Sequence, residues 1–197
     1  MRNRIILIVV LTFCIQTVNA QTSARPSSLG VSFTLTDFLS ANRIRNNSFE
    51  QVIRTKSFAD INEMSPGLAI TYFRGVQKHI DLALSLNAAY LTYSYRDRPA
   101  SRTNNLLLEA DASANLKMFP DNYFFSPYII AGIGGSKYKN NYGAILPLGG
   151  GFKFNFFNEA SLFITAQYRV GITRETTNDH FQFGLGLSGS LSGSKGD

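Results

Sequence analysis

The chain has almost no cysteine, no tryptophan and little charge. Cys14 is the only cysteine among 197 residues, which excludes a disulfide framework and a thiolate metal site. Two histidines are too few for a His-rich metal centre, so neither a metal nor any other cofactor is expected. Charged residues make up 16% of the chain, against about a quarter in an ordinary soluble domain. Disorder is excluded too, because disordered segments are highly charged and poor in aromatics. Here 16 Phe and 9 Tyr raise the aromatic share to 13%. Mean hydropathy is −0.04, which does not describe a bundle of apolar membrane helices. The length suits one domain.

The N-terminus reads as an address. Arg2 and Arg4 are followed by an apolar run from Ile5 to Ile15, and Val18-Asn19-Ala20 precedes Gln21. This is the layout of a secretory signal peptide, with cleavage expected after Ala20. The apolar run has about 11 residues, short of the ~20 a spanning helix needs. A lipoprotein signal would use Cys14, but bulky Phe13 stands before it. Without Arg2 and Arg4, the 19 basic residues fall to 17 against 13 acidic ones, a net +4. That weak bias is no nucleic-acid footprint.

What remains alternates with a period of two. Leu29, Val31, Phe33 and Leu35 are interleaved with Gly30, Ser32, Thr34 and Thr36. Such a segment is a strand with one greasy face and one small polar face. The same pattern returns around Leu68 to Tyr72, Leu82 to Tyr90, Leu106 to Met118, Leu148 to Phe156, Leu162 to Ile172 and Phe181 to Leu187. Pro127 to Tyr138 is strand-like, but its glycines obscure the phase. The reading therefore gives eight segments, most of about 10 to 13 residues. A soluble strand has nearer five or six, whereas a tilted membrane strand needs about 9–11. An even count of alternating segments this long points to an all-β, eight-stranded antiparallel up-and-down transmembrane β-barrel. In lipid every backbone polar group must be paired, and a closed barrel does that. A soluble lipocalin-like barrel is the rival. Its polar face would point outward, but here that face is rich in Gly, Ser and Asn and carries few charges.

The connections suggest sidedness. Gly75 to His79, Phe119 to Ser126 and Phe157 to Glu159 read as short turns. Phe38 to Ser65, Arg96 to Asn105, Lys139 to Gly143 and Arg174 to His180 read as the longer or more polar set, expected outside the cell. The expected organisation is a signal peptide at 1–20, a periplasmic lead at 21–28, a barrel at 29–191 and a polar periplasmic tail at 192–197. Aromatics near segment ends, such as Tyr72 with Phe73 and Tyr123 to Phe125, suit interfacial girdles.

From Met64 to Leu191 the chain resembles the barrel domain of OmpA-like outer-membrane proteins of Gram-negative bacteria. The residues that carry the resemblance are Ser65-Pro66-Gly67-Leu68, Leu107-Leu108-Glu109-Ala110-Asp111-Ala112, Ile145-Leu146-Pro147-Leu148-Gly149-Gly150-Gly151, Asn155-Phe156-Phe157 and Ala166-Gln167-Tyr168-Arg169. These are barrel-wall features, so they imply architecture and an outer-membrane location rather than an activity. Many such chains continue into a peptidoglycan-binding domain. None is expected here, where the sequence closes on Gly193-Ser194-Lys195-Gly196-Asp197. The resemblance also implies outer-membrane lipid and the barrel-assembly machinery as partners.

Sharper motifs weigh less than they first suggest. Gly184-Leu185-Gly186-Leu187-Ser188-Gly189 matches the dinucleotide fingerprint, but no helix can follow it to meet a pyrophosphate. Asp179-His180 could hint at a hydrolase, yet no nucleophile accompanies it and neighbours on a strand point apart. No enzyme activity is expected. His79 belongs to the other end of the barrel. Ser48-Phe49-Glu50-Gln51 reads as a capping box, so a short helix is expected in the first loop.

Two sets of charged residues are candidate sites. On the polar face, Glu109 and Asp111 stand near the outer end of the fourth strand and Arg169 near that of the seventh. Asp81, Lys117 and Lys153 stand near inner ends. Buried charges need partners, so a Glu109/Asp111–Arg169 network is expected to plug the lumen, with Asp81, Lys117 and Lys153 as a second cluster. Arg96, Arg98, Arg102, Lys137 and Lys139 are expected at the outer rim, where they would meet lipid phosphates such as those of lipopolysaccharide. The 38–65 loop is the segment expected to meet an extracellular ligand. An eight-stranded barrel is just filled by side chains, which leaves a structural or surface-binding role, a narrow channel, or a lipid-modifying membrane enzyme.

Overall fold

The computed structural model describes residues 26–55, 57–91, 106–156, 160–173 and 176–191. Eight antiparallel strands close into one barrel in sequence order. They are β1 (Ser28–Asp37), β2 (Ser65–Gln77), β3 (Ile80–Tyr90), β4 (Leu106–Lys117), β5 (Phe125–Tyr138), β6 (Asn141–Phe156), β7 (Ala160–Gly171) and β8 (His180–Ser190). Closure comes from β1 on β8, in register from Ser28 opposite Ser190 to Asp37 opposite Phe181. The ring has no free edge, so the ladder is satisfied all the way round.

The period-two pattern sets which side faces lipid. Leu86 is 65% exposed and Ile129 63% exposed, while their neighbours Asn87 and Tyr128 are buried. Leaving so many large apolar side chains in water would forfeit about 1.5–3 kcal/mol each. The wall is therefore a lipid-facing surface, and the soluble-barrel reading fails on it. The ambiguous fifth segment resolves with Phe125, Ile129 and Ile133 outward, and with Tyr128, Ile130 and Tyr138 inward. Gly132 and Gly134 take inward positions and Gly135 an outward one, so glycine falls on both faces and hides the phase.

Both chain ends of the barrel lie at one rim, with the turns after β2, β4 and β6. The other rim carries the connection from β1 to β2, which is folded. Asp37 ends β1 and its side chain accepts from the Ser40 amide at 2.8 Å, capping helix α1 (Phe38–Asn46). Ser48 caps α2 (Phe49–Arg54) and its hydroxyl accepts from the Gln51 amide at 3.3 Å, as the capping-box spacing requires. A 3₁₀ turn, Ile61–Glu63, leads into β2. The capping box announces only the second helix; α1 escapes notice in the sequence because it follows β1 without a break.

Two expectations are corrected. The Lys139 to Gly143 link is no loop: β5 and β6 run on to a two-residue turn, Lys139-Asn140, with Lys139 at φ 53°. It is shorter than the 118–124 connection at the opposite rim, so loop length alone does not mark the outer side. Phe73 belongs to no girdle: it packs edge-on against Phe163 at 5.4 Å, on the inward phase of β2 and β7. The girdle at the chain-end rim is formed instead by Phe124, Phe125, Phe152, Phe154 and Phe156, with ring centroids 5.3–5.9 Å apart.

Candidate functional site in the lumen and its cap

The lumen holds two charged layers. Towards the capped rim, Arg169 Nη1 donates to Glu109 Oε2 at 2.8 Å and Nη2 to Asp111 Oδ2 at 2.9 Å. Nη2 also reaches Gln167 Oε1 at 3.3 Å. All three charged side chains are buried. One guanidinium thus faces two carboxylates. A second basic group is at hand: His180 Nε2 lies 3.4 Å from Glu109 Oε1. His180 Nδ1 faces the Asn178 carbonyl at 3.1 Å; a carbonyl only accepts, so Nδ1 carries a proton.

The second layer lies nearer the chain-end rim. Lys117 Nζ donates to Asp81 Oδ1 at 2.7 Å and also pairs with Asp121. Lys153 Nζ donates to Asp81 Oδ2 at 3.3 Å and to Asp121 Oδ1 at 3.2 Å. Two lysines and two aspartates form a closed, balanced ring. Asp121 comes from the β4–β5 connection, which tucks it under the barrel.

Between the layers the lumen is nearly full. The central chamber measures about 40 Å³ and is lined by hydroxyls such as Thr34, Thr71, Ser85 and Thr165, together with Ile130 and Phe163. That is room for only a few waters. Below it Phe73 and Phe163 cross the lumen, and the gap beside the lysine ring is about 10 Å³. The glycines at 30 and 186 make this possible: a Cβ on Gly186 would lie 2.5 Å from Phe163 Cζ, and one on Gly30 would lie 3.0 Å from Phe163 Cε1. Of the dinucleotide-like glycines, Gly186 is thus space for an aromatic ring, while Gly184 makes room for Thr165.

Over the other mouth lies the 38–65 segment. Phe38 enters an apolar cluster with Ala89, Leu91, Leu107 and Tyr138, and its ring lies 4.5 Å from that of His180. Arg43 clamps the far end of the segment, donating to Glu63 at 2.6 and 2.8 Å and to the Ser57 carbonyl at 2.9 Å. The hydrogen bond from Arg43 holds the Glu63 carboxyl below its ordinary range, against a smaller opposing effect of burial, and Arg43 is raised in turn. Ser40 Oγ accepts from the Ala59 amide at 2.9 Å. The segment is a folded cap.

The structure brings Glu109, Asp111 and Arg169 together, and separately Asp81, Lys117 and Lys153. Sequence reasoning missed His180 and Asp121. His180 shares the inward phase of Gln182 and Gly184, which is a usable signal. Asp121 sits in a turn, where periodicity says nothing. Of the rim cations, Lys137 faces outward from β5 and lies 5.3 Å from the Tyr142 ring; Lys139 lies 5.3 Å from the Tyr138 ring. Lys137 borders an apolar groove of about 830 Å³ in the outer wall, floored by Ala88, Ala110, Gly135 and Ala144. Arg96, Arg98, Arg102 and the cleavage point after Ala20 lie outside the described residues. Asp179 and His180 form no dyad: Asp179 accepts from the Gly171 amide at 2.8 Å and from the Tyr168 hydroxyl at 3.2 Å, while His180 turns inward. Among the described residues no cluster of His, Cys, Asp and Glu could hold a metal ion.

No protein-family model matches the chain, and no curated protein matches it in sequence. Solved structures do match in fold. The Neisserial surface protein A superposes with a TM-score of 0.57 at 11% identity, covering 84% of this chain and 97% of that one. The N-terminal β-barrel domain of Pseudomonas aeruginosa OprF gives 0.53 at 11% identity, covering 84% and 98%. At such identity the likeness is one of fold: this chain has the fold of the small eight-stranded outer-membrane barrels.

Proposed function

We propose that the chain is a bacterial outer-membrane barrel with a closed lumen, serving a structural or surface-binding role. The observation that carries this reading is Arg169 held between Glu109 and Asp111 at 2.8 and 2.9 Å in the lumen. A solute would have to break that cluster, pass two crossed phenyl rings and then break a ring of four charges. A narrow channel is the second reading, favoured only by the polar lining of the central chamber. Planar-bilayer recording separates them. The expected result is no conductance from the wild-type barrel; steady single-channel steps would replace the proposal with a channel. Turnover of a phospholipid by purified protein would instead reveal an enzyme.

In this reading the cap faces the outside and both barrel ends of the chain face the periplasm. Trypsin added to whole cells should then cut within the 38–65 cap. Cutting only after lysis would reverse the orientation. Lys137 and Lys139, with Arg96, Arg98 and Arg102, would contact the phosphates of lipopolysaccharide. Replacing all five with alanine should weaken its association, and unchanged association would remove these residues from the site. The barrel-assembly machinery and an extracellular ligand of the cap complete the expected partners.

A further inference from the structure

The cap is joined to the lipid-facing wall by a continuous line of rings. Phe49 on α2 meets Phe58 edge-on at 6.1 Å. Phe58 meets Phe181 edge-on at 5.4 Å. Phe181 is on the outward phase of β8, stacked 6.3 Å from Phe183 and 4.9 Å from Tyr168 on β7. The line starts in the cap and ends on the wall that lipid must cover.

The cap end of the line is bare. Phe49 is 56% exposed and Ile53, four residues on, is 49% exposed. That spacing puts both on one side of α2, while Val52 turns into the cap and is buried. Arg54 follows at once, with Glu50 beside Phe49 in the first turn; on the preceding helix Arg45 lies 3.9 Å from Asp179. Bare apolar side chains with a cation beside them suit a segment lying in a membrane interface. A soluble cap would have no reason to leave a phenyl ring and an isoleucine together in water.

We propose that α2 is seated in the lipid interface by Phe49 and Ile53, and that the cap is thereby anchored to the membrane as well as to the barrel mouth. The occupant of this face is lipid: acyl chains near the headgroups, with anionic phosphates beside Arg54. The continuity of the face with the lipid-covered wall, through Phe58 and Phe181, argues for lipid over a protein partner. The inference rests on the membrane-spanning fold and not on whether the lumen conducts.

The absence of tryptophan from the chain makes the test direct. Phe49→Trp and Glu50→Trp are made separately, refolded into phosphatidylcholine/phosphatidylglycerol vesicles, and checked for folding by the heat-dependent gel shift. Ile53→Trp replaces Phe49→Trp if that variant does not fold. The Phe49→Trp indole should emit to the blue of Glu50→Trp and lose emission severalfold when the lipids carry bromine near the headgroup end of their chains. Aqueous iodide should quench Glu50→Trp severalfold more than Phe49→Trp. Adding Phe58→Ser to Phe49→Trp should remove much of the bromine effect. Equal iodide quenching of both positions, without bromine quenching, would overturn the proposal. Shielding of Phe49→Trp from both quenchers would overturn it too, since a second copy of the chain would then cover the face.

Discussion

Arg169 on β7 donates to Glu109 on β4 at 2.8 Å, three strands away round the ring. Strands so far apart share no ladder, so this contact is made only through the lumen. It is a tie across the barrel as well as a plug. Removing one partner of a buried pair typically costs about 3–5 kcal/mol, because the remaining charge is stranded. Arg169→Ala should therefore lower the urea midpoint of unfolding from vesicles. Replacing the whole set, with Arg169→Met, Glu109→Gln and Asp111→Asn, should recover most of the loss. An Arg169→Ala barrel that unfolds at the wild-type midpoint would show that the tie contributes nothing.

The lower ring makes a graded prediction. Asp81 and Asp121 each pair with both lysines, but Asp81 is buried on a strand while Asp121 is 18% exposed and comes from the β4–β5 connection. Asp81→Asn should cost about 3 kcal/mol, and Asp121→Asn clearly less. The same urea titration reads both. If Asp121→Asn proves the more damaging, the ring depends on the connection rather than on the wall.

The wall is legible in the sequence because lipid demands it. Leu82, Leu84 and Leu86 can face nothing else, and their alternation sets both strand and phase. The charges at 81, 109, 111, 117, 153 and 169 are legible as inward for the same reason, and the strand order then places them in two groups. What escapes has no periodicity to betray it. Asp121 acts from a turn. Helix α1 begins at Phe38 directly after the strand, so no Gly or Pro punctuates the change. Phe73 reads as an interfacial ring, although its neighbour Tyr72 already occupies the outward phase. The glycine at 186 matches a nucleotide motif because sequence records that a side chain is missing, not what fills the room.

That room can be tested. A Cβ on Gly186 would lie 2.5 Å from Phe163 Cζ, 2.5 Å from Ser32 Cβ and 2.7 Å from the Val31 carbonyl oxygen. The last is backbone and cannot step aside cheaply. Gly186→Ala should destabilise the barrel by about 1–3 kcal/mol, as overpacking usually does. A Cβ on Gly189, on the same strand, would meet nothing within 4 Å, so Gly189→Ala should be nearly neutral. The folded fraction by gel shift, after refolding both variants side by side, gives the comparison. Equal behaviour would mean that the lumen rearranges freely around Phe163.

The cap should loosen in acid, and the sign follows from Glu63. Its carboxyl is held below the ordinary range chiefly by the hydrogen bond from Arg43. A carboxyl lowered in the folded state contributes stability that is present above its unfolded value, about 4.3, and is lost as pH falls through the lower folded value. The Arg43–Glu63 clamp should therefore be unchanged between about pH 7 and about pH 5 and be lost only in acid below the unfolded value. Both side chains are about a third exposed, so solvent screening keeps the effect local and small. Arg43 also keeps its bond to the Ser57 carbonyl, which titration does not touch. Amide exchange over residues 57–64, corrected for intrinsic rate, should accelerate in acid while strand amides stay protected. Glu63→Gln should exchange faster at neutral pH and lose the acid step. If wild type and Glu63→Gln respond to acid alike, the clamp is not what holds the cap.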